Sequence, residues 1–192
     1  MDPIDQAFSH FPRLESEHFI LRRILHRDAD DLLAIFCDEE VTRYYDLYTM
    51  QTLEEVHELI DYMADSFDAE RQIRWAISRK TDNKLIGTCG FVTIHRRRAE
   101  IGYDLVREYW GQGIMREALD VLLAYSFETL ALNRIEALVM PGNERSAHLL
   151  KHLGFTNEGT LRDYDYFKDA HQDLQMFSLL AREFRNGRHP AP

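Results

Sequence analysis

The chain has 192 residues, 45% of them hydrophobic, and carries a formal net charge of -10 at pH 7. This length suits one domain with a proper core, and the acidic balance argues against direct nucleic-acid binding, which needs a basic surface. No apolar run approaches the ~18 residues of a membrane span, and the N-terminus lacks a basic start and an apolar signal core, so we expect a cytoplasmic protein.

The first half of the chain predicts two helices among strands. Acidic residues follow Asp28 and precede an apolar stripe, which is typical of a helix N-terminus. Thr52 and Glu55 form the Ser/Thr-x-x-Glu pattern of a capping box, which predicts the start of a second helix. In chain order we expect an N-terminal arm at residues 1–10, a strand at 18–25, helices at 28–36 and 52–67, and strands at 72–78 and 85–95.

The second half predicts alternating strands and helices. Apolar residues recur with a 3.6-residue period after Gly113, which indicates an amphipathic helix. Asn143 is suited to cap a later helix, and Gly154 is suited to end it in a left-handed conformation. The pattern as a whole predicts an α/β sheet covered by helices on both faces. The remaining expected elements are strands at 99–106, 134–140, 155–166 and 173–181, and a mobile tail at 185–192.

A turn with two glycines, Gly111 and Gly113, joins a predicted strand to the amphipathic helix. The first N–H groups of a helix have no partner inside it, and the helix dipole adds partial positive charge there. The turn therefore predicts an anion site, for which phosphate is the usual occupant. No Lys-Ser/Thr pair follows Gly113, which argues against a P-loop, and Arg116 stands at the third glycine position of a dinucleotide-binding loop.

Three motifs in fixed order carry a family resemblance. They are Ala99-Glu100-Ile101-Gly102-Tyr103, Tyr109-Trp110-Gly111-Gln112-Gly113-Ile114, and Asn143-x-x-Ser146 followed by Leu153-Gly154-Phe155. With these motifs the chain resembles the GNAT N-acetyltransferases, and among them the ribosomal-protein N-terminal acetyltransferases of the RimJ/RimL type. The resemblance covers residues 11–184 as one acetyltransferase domain. It implies the GNAT fold, with a mixed, mostly antiparallel central sheet and helices on both faces.

The resemblance implies acetyl-CoA as the co-substrate. In this family the pantetheine arm pairs with a strand end, a glycine loop holds the pyrophosphate, and a helix-capping Asn holds the same arm. This chain has Trp110 where the family loop has Gln or Arg, so Arg107, Arg116 and Arg145 are candidates for the countercharge. The expected cofactor-binding residues are Leu105, Val106, Arg107, Gly111, Gln112, Gly113, Ile114, Met115, Arg116, Asn143 and Ser146.

The implied reaction is attack of a neutral amine on the thioester carbonyl, with a base for the amine and an acid for the departing thiolate. Many family members use a tyrosine as the acid where this chain has Leu150, whereas Ser146 matches the acid of the ribosomal-type branch. Two carboxylates stay open as the base. Glu100 precedes the glycine loop, and Asp165 stands where that branch has a glutamate one methylene longer. The expected acceptor pocket consists of Tyr44, Tyr45, Trp75, Tyr164 and Tyr166.

The expected acceptor is the α-amino group of a ribosomal or other protein. An α-amine with a pKa of about 7.7–8.0 is partly neutral near pH 7, whereas a lysine at about 10.4 is almost entirely protonated. Two alternatives remain open: acetylation of a small amine, or CoA sensing without turnover. We expect no metal, because His148 and His152 share a helix face without a third ligand. No membrane partner is expected, and a homodimer is plausible only from family habit.

Overall fold

The computed structural model of the protein describes residues 2–188. Its strands are β1 Leu14–Glu15, β2 Phe19–Arg23, β3 Ile73–Arg79, β4 Leu85–His95, β5 Arg98–Leu105, β6 Arg134–Val139, β7 Thr156–Phe167 and β8 Ala170–Leu180. Its α-helices are α1 Pro3–Ser9, α2 Ala29–Phe36, α3 Glu39–Thr42, α4 Leu53–Asp68, α5 Ile114–Ala124, α6 Glu144–His152 and α7 Ala181–Arg188. Every strand and helix that the sequence predicts is present, with ends that differ by a few residues.

The strands form one mixed sheet in the order β1-β2-β3-β4-β5-β6-β8-β7. All neighbours are antiparallel except β5 and β6, which run parallel. That parallel pairing is short, because it joins only Arg98–Glu100 to Arg134–Glu136. Beyond it the two strands continue without pairing to each other. We call this opening, between residues 101–105 and 137–139, the strand gap.

Helices cover both faces of the sheet, as the sequence predicts. Consecutive strand residues point to opposite faces, and β3 shows this directly. Trp75 belongs to the core cluster that contains the apolar face of α5, whereas Ala76 belongs to the cluster packed against α2 and α4. The predicted capping box is also present, because Thr52 Oγ1 accepts from Glu55 N and the Glu55 side chain accepts from Thr52 N. The predicted class, an α/β fold with a mixed, mostly antiparallel sheet and helices on both faces, is confirmed.

The two ends of the chain differ from expectation. Residues 3–9 form α1 rather than an arm, and its Ala7 and Phe8 are buried in the core. The Phe8 ring lies 5.4 Å from the Phe67 ring of α4, so this helix is part of the domain. The expected tail at 185–192 begins inside α7, and residues 189–192 lie outside the described part. Within residues 2–188, no helix has the length and hydrophobicity needed to cross a membrane.

Candidate active site

The glycine loop has the geometry of an anion cradle. Gly111 and Gly113 have φ values of +74° and +81°, which side-chain-bearing residues rarely adopt, and a Cβ on either would meet no atom within 4 Å. The first bond of α5 joins Glu117 N to Gly113 O at 3.0 Å. The N–H groups of residues 114–116 therefore have no partner inside the helix. Gln112 Nε2 donates to the carbonyl of Glu108, and Gln112 does not line the cavity that begins at this loop.

A cavity of about 960 Å³ extends from this loop into the strand gap. Because the facing edges of β5 and β6 do not pair there, their backbone groups are available to an extended ligand, as in β-strand addition. Asn143 lies at the opposite side of the cavity and accepts from Ser146 N through Oδ1 at 3.2 Å, as the predicted cap of α6. The cavity is lined by residues 101–105, 109–111, 113–116 and 137–139, by parts of α6, and by a segment near Tyr45.

The strand end expected to hold the pantetheine arm is mostly engaged elsewhere. Leu105 lines the cavity, but its carbonyl accepts from Trp110 Nε1 at 2.8 Å. Val106 donates its N–H to a carbonyl of β4 at 2.9 Å, and Arg107 forms an ion pair with Asp38 at 2.9 Å. Val106 and Arg107 do not line the cavity. The open edge therefore lies earlier in β5 than the sequence predicts, at residues 101–104.

Arg145 is the arginine best placed to supply countercharge. Its guanidinium carbon lies 4.6 Å from the centroid of the Trp110 ring, and both side chains line the cavity. Such stacking on an indole ring is a favourable cation–π contact. Arg116 also lines the cavity, whereas Arg107 does not. Trp110 thus holds an arginine from α6 at the loop, although it cannot bind phosphate as an arginine would.

Ser146 is hydrogen-bonded to a tyrosine that the sequence analysis did not assign to the site. Tyr103 Oη and Ser146 Oγ are 2.7 Å apart, and both residues line the cavity. Tyr103 stands on β5 and Ser146 on α6, so the bond connects two elements that flank the strand gap. Burial raises the pKa of Tyr103 to about 12. In the sequence, the only indication that Tyr103 belongs to the site was its position inside the first of the three motifs.

Glu100 is a half-buried carboxylate at the narrow end of the strand gap. It is the last residue of β5 that pairs with β6, and Ile101 after it lines the cavity. Burial raises the pKa of Glu100, and the negative charges of Glu136, Asp46 and Asp165 raise it further. Within residues 2–188, the side chain of Glu100 makes no hydrogen bond and no ion pair. A carboxylate in this state takes up a proton more readily than an exposed one.

Asp165, the other base candidate, has a different environment. It is exposed on β7 next to a register shift, and its Oδ1 accepts from Tyr166 N at 2.7 Å. Like Glu100, it does not line the cavity. Asp165 affects Glu100 through its negative charge, which raises the pKa of Glu100. Glu136, beside Glu100, is held by Arg134 at 2.5 Å and is therefore a paired carboxylate.

Known proteins are similar to this chain in sequence and in fold. Residues 18–156 match the model of the acetyltransferase (GNAT) domain. The chain belongs to the GNAT family. The uncharacterized N-acetyltransferase YoaA of Bacillus subtilis (strain 168) is 40% identical over 172 residues, or 88% of this chain and 97% of YoaA. The ribosomal protein uS5-alanine N-acetyltransferase of Escherichia coli (strain K12) is 32% identical over 110 residues, or 56% of this chain and 57% of that enzyme.

A solved structure gives the same fold. Mycobacterium smegmatis RimJ, in complex with CoA-disulfide, matches with a TM-score of 0.78 and 24% identity, covering 90% of this chain and 87% of that chain. The GNAT domain and the named relatives make this chain an N-acetyltransferase. Within residues 2–188 of this GNAT enzyme, no group of three or more His, Cys, Asp or Glu side chains could hold a metal ion.

The GNAT fold separates the five aromatic residues expected at the acceptor pocket. Tyr44 and Tyr45 line the cavity. Trp75 does not, because it is fully buried in the core and donates Nε1–H to Pro12 O at 2.6 Å. Tyr164 and Tyr166 are exposed on β7, outside this cavity. The expectation for Trp75 is therefore wrong, since the packing of α5 and the neighbouring aromatic rings buries it completely in the core.

Tyr45 belongs to a buried charged cluster that the sequence analysis missed. Arg74 of β3 pairs with Asp104 of β5 at 2.6 Å and also donates to Tyr45 Oη at 2.6 Å. Thr88 supplies Asp104 with two more donors, its N–H and its hydroxyl. Burial raises the pKa of Tyr45, so its hydroxyl stays protonated. The available signal was the pair of opposite charges, Arg74 and Asp104, inside two predicted strands.

The segment that carries Tyr45 is tied across to the turn between β7 and β8. Tyr48 donates its hydroxyl to Asp169 Oδ2 at 3.1 Å, and Lys168 Nζ donates to Thr42 O at 2.7 Å. These contacts join parts of the chain that are more than a hundred residues apart. They bring the β7–β8 hairpin, with Asp165, to the side of the cavity that holds Tyr45.

Proposed function

We propose that this N-acetyltransferase moves the acetyl group of acetyl-CoA directly to the α-amino group at a protein N-terminus. The observation that carries the proposal is one continuous cavity with a phosphate cradle, a gap between two strands and, beside the gap, a half-buried carboxylate. The similarity to the uS5-alanine N-acetyltransferase supports the acceptor class. A protein acceptor of this kind also suits a cytoplasmic enzyme.

The residues of the cavity fit acetyl-CoA in three places. The free N–H groups of residues 114–116 and the guanidinium of Arg145 suit the pyrophosphate. The open edges of the strand gap suit the amide groups of pantetheine. Asn143 uses its Oδ1 to cap α6 and has its amide nitrogen left to donate to the same arm. Ser146 lines the same cavity and Glu100 directly precedes its lining residue Ile101, so both would lie near a bound thioester.

Glu100 is our choice for the base. A general base works best when its pKa lies near the working pH, and the surroundings of Glu100 move its pKa upward. An α-amine, with a pKa of about 7.7–8.0, needs little help to lose a proton near neutral pH. Glu100 accepts that proton directly or through a water molecule, and Asp165 acts only through its charge.

The proposal is tested by turnover of acetyl-CoA with peptides that have free Ala, Ser or Met N-termini, and with small amines, read by product mass. We expect one added acetyl group on the peptide α-amine, with N-terminally blocked peptides of the same sequence as the control. We also expect far slower acetylation of lysine side chains, since they are almost fully protonated near neutral pH.

Other outcomes of this assay redirect the assignment. Acetylation of small amines alone moves the function to small-molecule modification. Equal rates on α-amines and lysine side chains contradict the argument from amine pKa. Tight acetyl-CoA binding without turnover of any acceptor favours a CoA sensor.

Arg145→Gln is expected to weaken acetyl-CoA binding about tenfold, because one charge-assisted contact to phosphate is lost. The matched control is Arg107→Gln, which removes an exposed arginine that is paired with Asp38 and lies outside the cavity lining. Calorimetric titration with CoA measures both variants. Equal dissociation constants for the two variants contradict a phosphate role for Arg145.

A further inference from the structure

The strongest unexplained feature of the site is the pair of hydroxyls formed by Tyr103 and Ser146. Their oxygens are 2.7 Å apart, and the Tyr103 hydroxyl has no other hydrogen-bond partner within residues 2–188. Ser146 is fixed at its backbone as well, since its N–H is held by the Asn143 cap at 3.2 Å. The half-buried Ser146 lines the cavity, and within residues 2–188 Tyr103 is the one hydrogen-bond partner of its hydroxyl.

This hydrogen bond can run in either direction, and the two directions leave different protons free. Each hydroxyl has one proton, and either oxygen can accept. Burial raises the pKa of Tyr103 to about 12, so its phenol stays protonated at any working pH. When Tyr103 donates to Ser146 Oγ, the proton of Ser146 is free to point into the cavity. The reverse arrangement would use that proton on Tyr103 and leave none for a ligand.

We propose that Tyr103 is a positioning residue that donates to Ser146 Oγ and thereby aims the Ser146 proton at the thioester sulfur. This inference rests on the proposed function. Tyr103 acts through Ser146, whose hydroxyl is the group next to the sulfur. Its role is to orient that hydroxyl and to stabilise the negative charge that forms on it, because linked hydrogen bonds strengthen one another.

Each proton that moves in the reaction has a donor and an acceptor. The amine nitrogen forms a bond to the acetyl carbon, the carbon–sulfur bond breaks, and sulfur keeps the electron pair. Ser146 gives its hydroxyl proton to sulfur, and the two hydroxyls share the resulting negative charge until water in the cavity returns a proton. Glu100 takes the proton released by the amine nitrogen and passes it to water. The products are an amide and the free thiol of CoA.

The first test is kinetic and uses conservative variants. We expect Ser146→Ala to lower kcat about 10²-fold and Tyr103→Phe about tenfold, each with little change in the KM for acetyl-CoA. The double variant should be no slower than Ser146→Ala alone. If the double variant loses activity by the product of the two single losses, or if Tyr103→Phe is fully active, the role of Tyr103 is overturned. The proposed function stays intact in either case. The matched control is Tyr125→Phe, which removes another tyrosine hydroxyl with a pKa raised by burial to about 12 and no hydrogen-bond partner within residues 2–188.

The second test needs no acceptor and no turnover. A donor beside the sulfur stabilises the thiolate, so it lowers the pKa of the thiol in bound CoA. Titration of the ultraviolet absorbance of the thiolate should show the lowest thiol pKa in the wild type. We expect a clear rise with Ser146→Ala, a smaller rise with Tyr103→Phe and no change with Tyr125→Phe. An unchanged thiol pKa in Tyr103→Phe contradicts the proposal even if the enzyme acetylates its acceptors.

Discussion

Glu100→Gln is expected to lower kcat/KM by about 10²- to 10⁴-fold and, at neutral pH, to raise the melting temperature of the protein. The activity falls because Gln cannot take the proton of the amine. The stability rises because the surroundings of Glu100 disfavour its ionised form, through burial first and then through the charges of Glu136, Asp46 and Asp165, which raise its pKa. A neutral side chain of nearly the same shape removes that penalty.

The stability effect has a defined pH dependence. Folding raises the pKa of Glu100, so the protonated form is favoured in the folded state, and its contribution to stability is present at low pH. It is lost as the pH rises from about 4.3, the ordinary value for Glu, through the raised pKa of the folded state. The advantage of Glu100→Gln should therefore be absent in acid and complete above the raised pKa. Melting curves over a pH series measure it.

Asp165→Asn is the matched control for Glu100→Gln. It removes a carboxylate from the same acidic region, but Asp165 is exposed whereas Glu100 is half-buried. We expect a modest change in rate, because loss of this charge lowers the pKa of Glu100 slightly. A loss of activity as large as that of Glu100→Gln would make Asp165 the base.

Arg74→Met is expected to lower the free energy of unfolding by about 3–5 kcal/mol, because it leaves the buried Asp104 carboxylate without its cation. The side chains of Arg74 and Asp104 are 10% and 1% exposed, so water cannot replace the lost contact. Tyr45 also loses the donor that holds it at the cavity wall. We therefore expect weaker acceptor binding as well as lower stability, measured by urea unfolding and by the KM for the acceptor.

The control for this prediction is Arg13→Met, which breaks the ion pair with Glu15 between side chains that are 58% and 49% exposed. Exposed pairs of this kind contribute little to stability, so the unfolding midpoint should hardly move. If both variants unfold alike, the Arg74–Asp104 pair does not stabilise the fold in the way inferred here.

The elements predicted from sequence were correct where the signal is local. The capping box at Thr52, the 3.6-residue stripe after Gly113 and the left-handed Gly154 each depend on neighbours within a few residues. The missed elements are short or terminal: β1 has two residues and α3 has four, too few for a period to show. The N-terminal helix was missed because its burial depends on Phe67, far along the chain.

The site was predictable to a smaller degree. The sequence located the glycine loop, Asn143 and Ser146, because each belongs to a compact motif at a helix start. It left Glu100 and Asp165 open as bases, because the two differ only in burial and in the charges around them. It grouped Trp75 with the acceptor pocket, since an aromatic residue in a strand has the same local pattern whether it faces the core or a cavity.

The sequence by itself determined the order of helices and strands, the two-faced α/β sheet and the glycine turn at the start of α5, since periodicity, caps and glycine turns depend on consecutive residues. Only the tertiary structure decided which distant groups meet. It brought the hydroxyls of Tyr103 and Ser146 within hydrogen-bond distance and paired Arg74 with Asp104. It also left the Glu100 carboxylate half-buried and unpaired. These contacts depend on strand order and on the divergence of β5 and β6, and no spacing along the chain encodes burial or the charge of a neighbour brought in by folding.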